Sequence, residues 1–466
     1  MTRLFTIVFI IFHVIVHGQS LKPLSIAEQI EDITFIKNEL QEFHPGIYTY
    51  QTEFEFEAHF DSLIANLKPN QTVFQFYNRL IPVINQIGCG HTTAKLPTKE
   101  LKRIQKNRKF IPIEIKIINN KFFITNVFVE NNFLVPGVEI LSIDGSTAND
   151  YINSNLNRYP SDGRILSRKY QTMEKNFSFD YNLFHYTSDD CIVEVMHKGE
   201  RIRICLPGIT FDDFIAKSKQ TNSVDLELQI IDSLSLAIIT VRNSSLKKIF
   251  NSFLENSFEK ILSKKINNLV IDVRFDSFNR DSDGAELYAY LTIEPFNYYS
   301  TLEVTENYDV PKALRWITHY PIGEDSTGKF YWKVHPQLEL QIPKSNPFLG
   351  NVYVLTDGFT FSATSEFSSI VKSNKRGLIV GVETGGGYYG NNSGGMLRKI
   401  LPNSGIKIYI PPIKYHMAVK DLGNYTRGVI PDTLVTENIH DIVLQNDVVL
   451  KAALEIIYTD NLKLYK

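Results

Sequence analysis

The sequence predicts an α/β protein built from three regions, and three observations carry that reading. From about residue 209 to 466, apolar β-like runs alternate with amphipathic helical stretches, the signature of parallel βαβ units. Residues 19 to 106 repeat apolar side chains at helical spacing, and residues 107 to 208 switch to short β-like runs. With 466 residues the chain is too long for one core, so two or three domains are expected.

Its first residues, MTRLFTIVFIIFHVIVHGQS, read as a secretory signal. Arg3 supplies the positive end, Leu4 to Val16 is apolar apart from Thr6 and His13, and Val16 and Gly18 fit the small positions before a cut after Gly18. Residues 1–18 are therefore expected to be removed and the protein to work outside the cytosol, periplasmic or secreted. An uncleaved anchor is the alternative, although the run is short for a span; no second stretch resembles a transmembrane helix.

Residues 19–106 are predicted to be helical. Ser25 and Glu28 form a capping box ahead of Ile26, Ile30, Ile33, Ile36 and Leu40, and His44-Pro45-Gly46 stops that helix. Two further stripes, Phe56 to Leu67 and Phe74 to Ile84, lead into the turn IGCGHTT.

Residues 107–208 are predicted to be rich in β-structure. The runs FIPIEIKI, KFFITNVF, CIVEVM and RIRICL surround VPGVEILSIDGSTANDYINSNL, a glycine turn, strand, turn and helix. That order resembles a PDZ-type module, which would dock an extended peptide by strand addition; a β-rich spacer that binds nothing is the plainer alternative. Of the three cysteines, Cys191 and Cys205 flank a hairpin. A three-residue turn at His197 to Gly199 would place them opposite each other within disulfide reach, and a two-residue turn at Lys198-Gly199 would forbid it.

In residues 209–466, LSLAIITV, NNLVIDVR, NVYVLT and LIVGV are strand candidates separated by helices. Ligands of such sheets bind beyond the carboxyl ends of the strands. Asp272 to Gly284 and Phe359 to Ala363 both follow strands, so the two loops are expected to line one cleft.

The formal net charge of −2 and the lack of a basic tract argue against nucleic acid. The glycine-rich stretch Gly385 to Gly395 is followed by neither Lys-Ser/Thr nor a helix, which excludes a phosphate-binding P-loop. No Cys/His cluster has zinc spacing, and no cofactor is implied. What remains is a hydroxyl. Ser362 stands where a buried strand hands over to a helix, a place where helix-terminal N–H groups await an oxyanion. It could equally be a plain N-cap, with Ser365 and Ser368 as rivals. A serine nucleophile needs a base; His91, in a glycine-flanked turn, is the best candidate and His416 the second.

Taken in order, GHT, PGVEILSIDG, NLVIDVR, TFSATSEF, VGVETGGG and RGVIPD resemble the C-terminal-processing (tail-specific) and tricorn-core serine peptidases over nearly all of the chain after the signal. The resemblance implies a crotonase-like (ClpP/crotonase) α/β protease core behind a helical region and a PDZ-like module. It implies Ser362 as nucleophile. No Lys lies between Glu383 and Gly395, so it points to the branch that uses a histidine, here His91, with an acidic residue before GVIPD; Asp421 is the nearest carboxylate. The oxyanion would be held by the Ala363 N–H and one N–H from Phe278 or Asn279. Those two residues stand where the family usually carries a pair of glycines, and a missing donor costs about 2.7–4 kcal/mol. Two functions follow as expectations: a secreted serine endopeptidase acting on extended polypeptides, or a catalytically silent peptide- or ligand-binding protein on the same fold.

Overall fold

The computed structural model describes residues 23–186, 188–218, 224–275, 277–308 and 322–464; the expected signal peptide, residues 1–18, lies outside them. Helices Ile26–Phe43, Glu53–Ala65 and Val73–Asn85 each start on a capping box, at Ser25/Glu28, Thr52/Glu55 and Thr72/Gln75. Three amphipathic helices cannot bury their apolar faces alone. Here Ile33, Leu40, Phe60 and Leu80 share one core with Ile406, Ile408 and Ile410 from far along the chain. Thr93–Lys95 completes the junction by pairing antiparallel with Lys407–Ile410. That pairing fixes the turn carrying His91 against the C-terminal region.

The middle region is a five-stranded antiparallel sheet of Ile113–Ile118, Lys121–Val127, Glu139–Ile143, Asp190–His197 and Glu200–Pro207. The long helix Ser167–His185 packs on it through Met173, Phe177 and Tyr181. Its hairpin closes with the two-residue turn, Lys198 and Gly199 both having positive φ, 52° and 86°, as a type I′ turn requires. Cys191 therefore faces Leu206, and Ile192 faces Cys205. Cys191 is buried, Cys205 exposed, and both are free thiols; the register places them on opposite faces and no disulfide forms.

Strands Thr433–Leu434, Leu378–Gly381, Asn351–Thr356, Asn268–Asp272 and Leu236–Val241 run parallel in that order, with Leu226–Ile231 antiparallel at the far edge. Side chains alternate between faces. Ala237, Ile239, Leu269 and Ile271 meet helices Lys247–Ser263, Asp281–Ala289 and Ala363–Ser373. Leu236, Ile238 and Val270 meet Ala453 and Ile457 of the closing helix Val448–Leu464. A second, antiparallel sheet runs Ile322–Glu324, Phe330–Trp332, Tyr299–Val304, Ile413–Met417, Gly390–Ser393; the sequence did not foretell it.

Parallel register places Asp272 beside Leu355, so the loops after both strands leave from the same edge of the sheet. Arg274 stiffens that edge: its guanidinium forks onto Asp272 at 2.8–2.9 Å and onto Asp447 at 2.6–2.9 Å. Burial pushes the Asp272 carboxyl up, but Arg274 and Arg242 more than offset it and hold the group at about 2. Among the described residues, no helix is long and apolar enough to cross a membrane.

Candidate active site

Ser362 immediately precedes the Ala363–Ser373 helix with φ 54° and ψ −132°. Residues other than glycine avoid this region, at a cost of about 1–3 kcal/mol. Its side chain caps nothing. Instead the hydroxyl lies 3.1 Å from His91 Nε2. The rivals are spent on their own helix: Ser365 Oγ donates to the Ser362 carbonyl at 2.8 Å and Ser368 Oγ to the Thr364 carbonyl at 3.1 Å. The strained turn aims one hydroxyl of the three outward, at the imidazole.

The His91 turn docks because its neighbour is glycine. A Cβ on Gly90 would come within 2.6 Å of the Phe361 ring. Without one, Phe361 slides beneath the histidine with ring centres 4.5 Å apart. Gly386 is tied to the serine in the same way; a Cβ there would lie 2.1 Å from Ser365 Oγ and 3.1 Å from the Ser362 amide nitrogen.

Asp162 joins the two approaches. Its carboxylate accepts the Gly90 N–H at 2.8 Å through Oδ1 and the Gly387 N–H at 3.2 Å through Oδ2. It is 1% exposed. Burial raises its pKa to about 6, against the pull of the two amides and of Arg168. One carboxylate thus holds the histidine turn and the glycine-rich loop on either side of Ser362.

Burial first, and then the Arg168 guanidinium, hold the His91 imidazole well below its ordinary value, while Asp281 and the Asn392 carbonyl oppose them. His91 as a whole residue is half-buried. It is neutral at physiological pH, the state a base needs. Its Nδ1 is buried and meets no carboxylate among the described residues; the Asn392 carbonyl is the backbone group that acts on the ring.

The structure does not bring Asp421 to that nitrogen. Asp421 sits in an exposed loop, where it accepts the Tyr389 hydroxyl at 2.7 Å, the Gly423 N–H at 2.8 Å and the Tyr425 hydroxyl. Those local donors use the carboxylate within its own loop. The expected oxyanion amides are also engaged elsewhere. Phe278 N–H donates to Thr364 Oγ1 at 3.0 Å, and Asn279 N–H donates to Ser244 Oγ at 2.9 Å. The cause is the Phe278 side chain, 4% exposed and packed between Phe250 and Phe367, which turns this backbone into the core. Ala363 stands at the first turn of its helix, and no described residue accepts its N–H.

His416 and His44 serve the fold. His416 Nε2 meets Glu303 at 3.2 Å. His44 is buried; its Nδ1 accepts the Gly46 N–H at 3.1 Å, so Nε2 carries the proton and donates to Thr92 Oγ1 at 2.9 Å. Burial lowers the His44 pKa to about 3. A buried neutral histidine binds its proton more readily when unfolded, so its contribution is intact above pH 6.5 and erodes as pH falls toward 3. The stability advantage of wild type over His44→Gln is expected to shrink by up to about 5 kcal/mol across that window. Urea unfolding at stepped pH checks this; a constant difference would refute it.

Three site residues carried no sequence signal. Asp162 lies in an ordinary-looking turn, YPSDGR, and Arg168 opens a helix 194 positions before Ser362. The guanidinium of Arg168 lies 3.6 Å from the centre of the Phe361 ring. Glu366, one helical turn past Ser362, is fully buried and accepts the Tyr299 hydroxyl and the Asn391 amide, both at 2.7 Å. Burial and Asp281 raise it to about 8, so it is protonated at neutral pH. Among the described residues, no group of three or more His, Cys, Asp or Glu could hold a metal ion.

Residues 236–435 match the model of peptidase family S41. No curated protein is similar in sequence. Among solved structures, a CPAF mutant aligns at 13% identity over 90% of this chain and 94% of that one, TM-score 0.63. Mature CPAF complexed with lactacystin aligns at 14% identity over 93% and 99%, TM-score 0.62. At such identities the likeness shows a shared fold.

Proposed function

We propose that the chain, whose residues 236–435 match the model of peptidase family S41, is a serine endopeptidase of extended polypeptides, acting through Ser362 and His91. The observation that carries this is the 3.1 Å contact between Ser362 Oγ and His91 Nε2 at a strained strand-to-helix turn. In the proposed reaction His91 Nε2 takes the hydroxyl proton as Ser362 Oγ attacks the scissile carbonyl. The same nitrogen then returns the proton to the leaving amine, and water releases the acyl group by the reverse route. The Ala363 N–H supports the developing oxyanion from the helix start. The five-stranded module is proposed to dock the polypeptide, and residues 1–18 to direct the protein out of the cytosol.

A fluorophosphonate probe tests this. It is expected to label the wild-type chain at Ser362 and to leave Ser362→Ala unlabelled. A wild type that stays unlabelled with peptide present would defeat the proposal; a label on Ser365 would keep the chemistry and move the site.

The second reading, a catalytically silent peptide-binding protein, is favoured by two specific features. The Phe278 and Asn279 amides are bonded elsewhere, and His91 Nδ1 lacks an acidic partner. Peptide binding without labelling or cleavage would establish it.

A further inference from the structure

A cavity of about 280 Å³ opens at the antiparallel sheet, and the proposed reaction leaves it unused. Its wall is aromatic, formed by Phe43, Tyr308, Trp332, His335 and Tyr415. Ring centres follow one another at 6.0 Å from Tyr308 to Trp332, 5.4 Å to His335 and 6.0 Å to Tyr415. The polar end is the Asp281 carboxylate. Its Oδ2 accepts the Tyr415 hydroxyl at 3.0 Å and lies 3.5 Å from His335 Nε2, while no described residue bonds Oδ1. No lysine or arginine lines the cavity. Trp332 Nε1 is buried without an acceptor, a donor that a peptide carbonyl would satisfy.

Two chains of contact join the cavity to the Ser362–His91 pair. Strand Gly390–Ser393 leads from Asn392, whose carbonyl acts on His91, to Gly394 and Gly395, which line the cavity. At ~3.3 Å per residue that is ~7 Å, about two residues of an extended substrate. From the other side, Ser362 connects through Glu366 to Tyr299, whose ring centre is 5.0 Å from that of Tyr415.

We propose that this cavity receives a basic side chain, lysine or arginine, of the polypeptide lying across Ser362. A carboxylate with open acceptor sites takes a charge-assisted hydrogen bond from either cationic head group, and the ring faces attract the same cation. The volume lies just below the range of pockets that enclose a whole small molecule, and so suits one side chain. This subsite rests on the peptidase reading for the polypeptide's placement.

The test uses full-length protein and fluorogenic peptides in which one Lys, Arg, norleucine, Phe or Gln is walked across positions flanking the scissile bond. At one position, kcat/KM for Lys or Arg is expected to exceed that for norleucine by about tenfold or more. Asp281→Asn is expected to bring that ratio to near one. The ratio is the readout, because the Asp281 charge also reaches His91. Tyr308→Ala, which removes one wall and leaves the carboxylate, is expected to lower the ratio about threefold and serves if Asp281→Asn does not fold. A wild-type ratio of one, a preference for Phe or norleucine, or a ratio untouched by both variants would overturn the subsite.

A second arm separates this from the peptidase reading. Binding of labelled Lys and norleucine peptides to Ser362→Ala, measured by fluorescence anisotropy, is expected to differ by the same factor. A Lys preference in binding with no cleavage by wild type would keep the cavity and reject the peptidase. Cleavage without a preference would do the opposite.

Discussion

His91→Ala is expected to lower kcat on the order of 10²-fold, with peptide affinity nearly unchanged. The modest figure follows from Nδ1. In a complete serine triad, loss of the histidine alone costs on the order of 10⁶, and loss of the acid alone on the order of 10⁴. Here Nδ1 has no carboxylate partner among the described residues and Asp421 is held in its own loop. On the proposed mechanism the resting site therefore starts at the level of a triad without its acid, and removing His91 forfeits only the remainder. Single-turnover kinetics on an ester and a peptide substrate read the loss. A drop near 10⁶ would show that a carboxylate reaches Nδ1 once substrate is bound.

Asp162→Asn is expected to cut kcat/KM by at least tenfold and to erase an acidic limb of the pH–rate profile near pH 6. The wild-type carboxylate holds two backbone amides at once, Gly90 on the histidine turn and Gly387 on the glycine-rich loop. An asparagine has one acceptor oxygen and turns a donor toward the other amide, which releases one side of the clamp. The same release happens in wild type when Asp162 takes a proton. Its folded pKa of about 6 lies above the ordinary value for aspartate, so activity falls as pH drops through 6. The Tyr50 and Cys89 groups near it are pushed up by burial and do not titrate there. His91 is held low and contributes its own limb at more acidic pH.

Stability moves the other way. A raised carboxyl pKa means that the charged form costs the fold about 3 kcal/mol at neutral pH, and this is regained as pH falls from 6 toward 4. Asp162→Asn is therefore expected to change the unfolding free energy little, or to raise it, while activity drops. That split marks a positioning residue. A pH–rate limb near 6 surviving in Asp162→Asn would assign the limb to another group.

Much was legible because it is local. The capping box at Ser25, the helical stripe of Ile33, Ile36 and Leu40, and the strands around Val270 and Val354 depend on periods of 3.6 and 2 within a few residues. Ser362 and His91 could be singled out because each sits in its own recognisable turn. The sequence left the Cys191–Cys205 register open between two turns, and the positive φ of Lys198 decided it. A one-residue shift inverts every side chain on a strand.

By itself, then, the sequence determined the α/β class and singled out Ser362 and His91 as candidates, each from its own turn. Only the tertiary structure decided what surrounds them. The contact between His91 and Ser362 spans 271 positions, the Asp162 clamp to Gly387 spans 225, and the core beneath the N-terminal helices is closed by Ile406 to Ile410. The Phe278 amide was lost to the site because a phenylalanine finds more stabilisation buried between Phe250 and Phe367 than beside a cleft. Such outcomes depend on which surfaces meet, and pattern along the chain records only which surfaces exist.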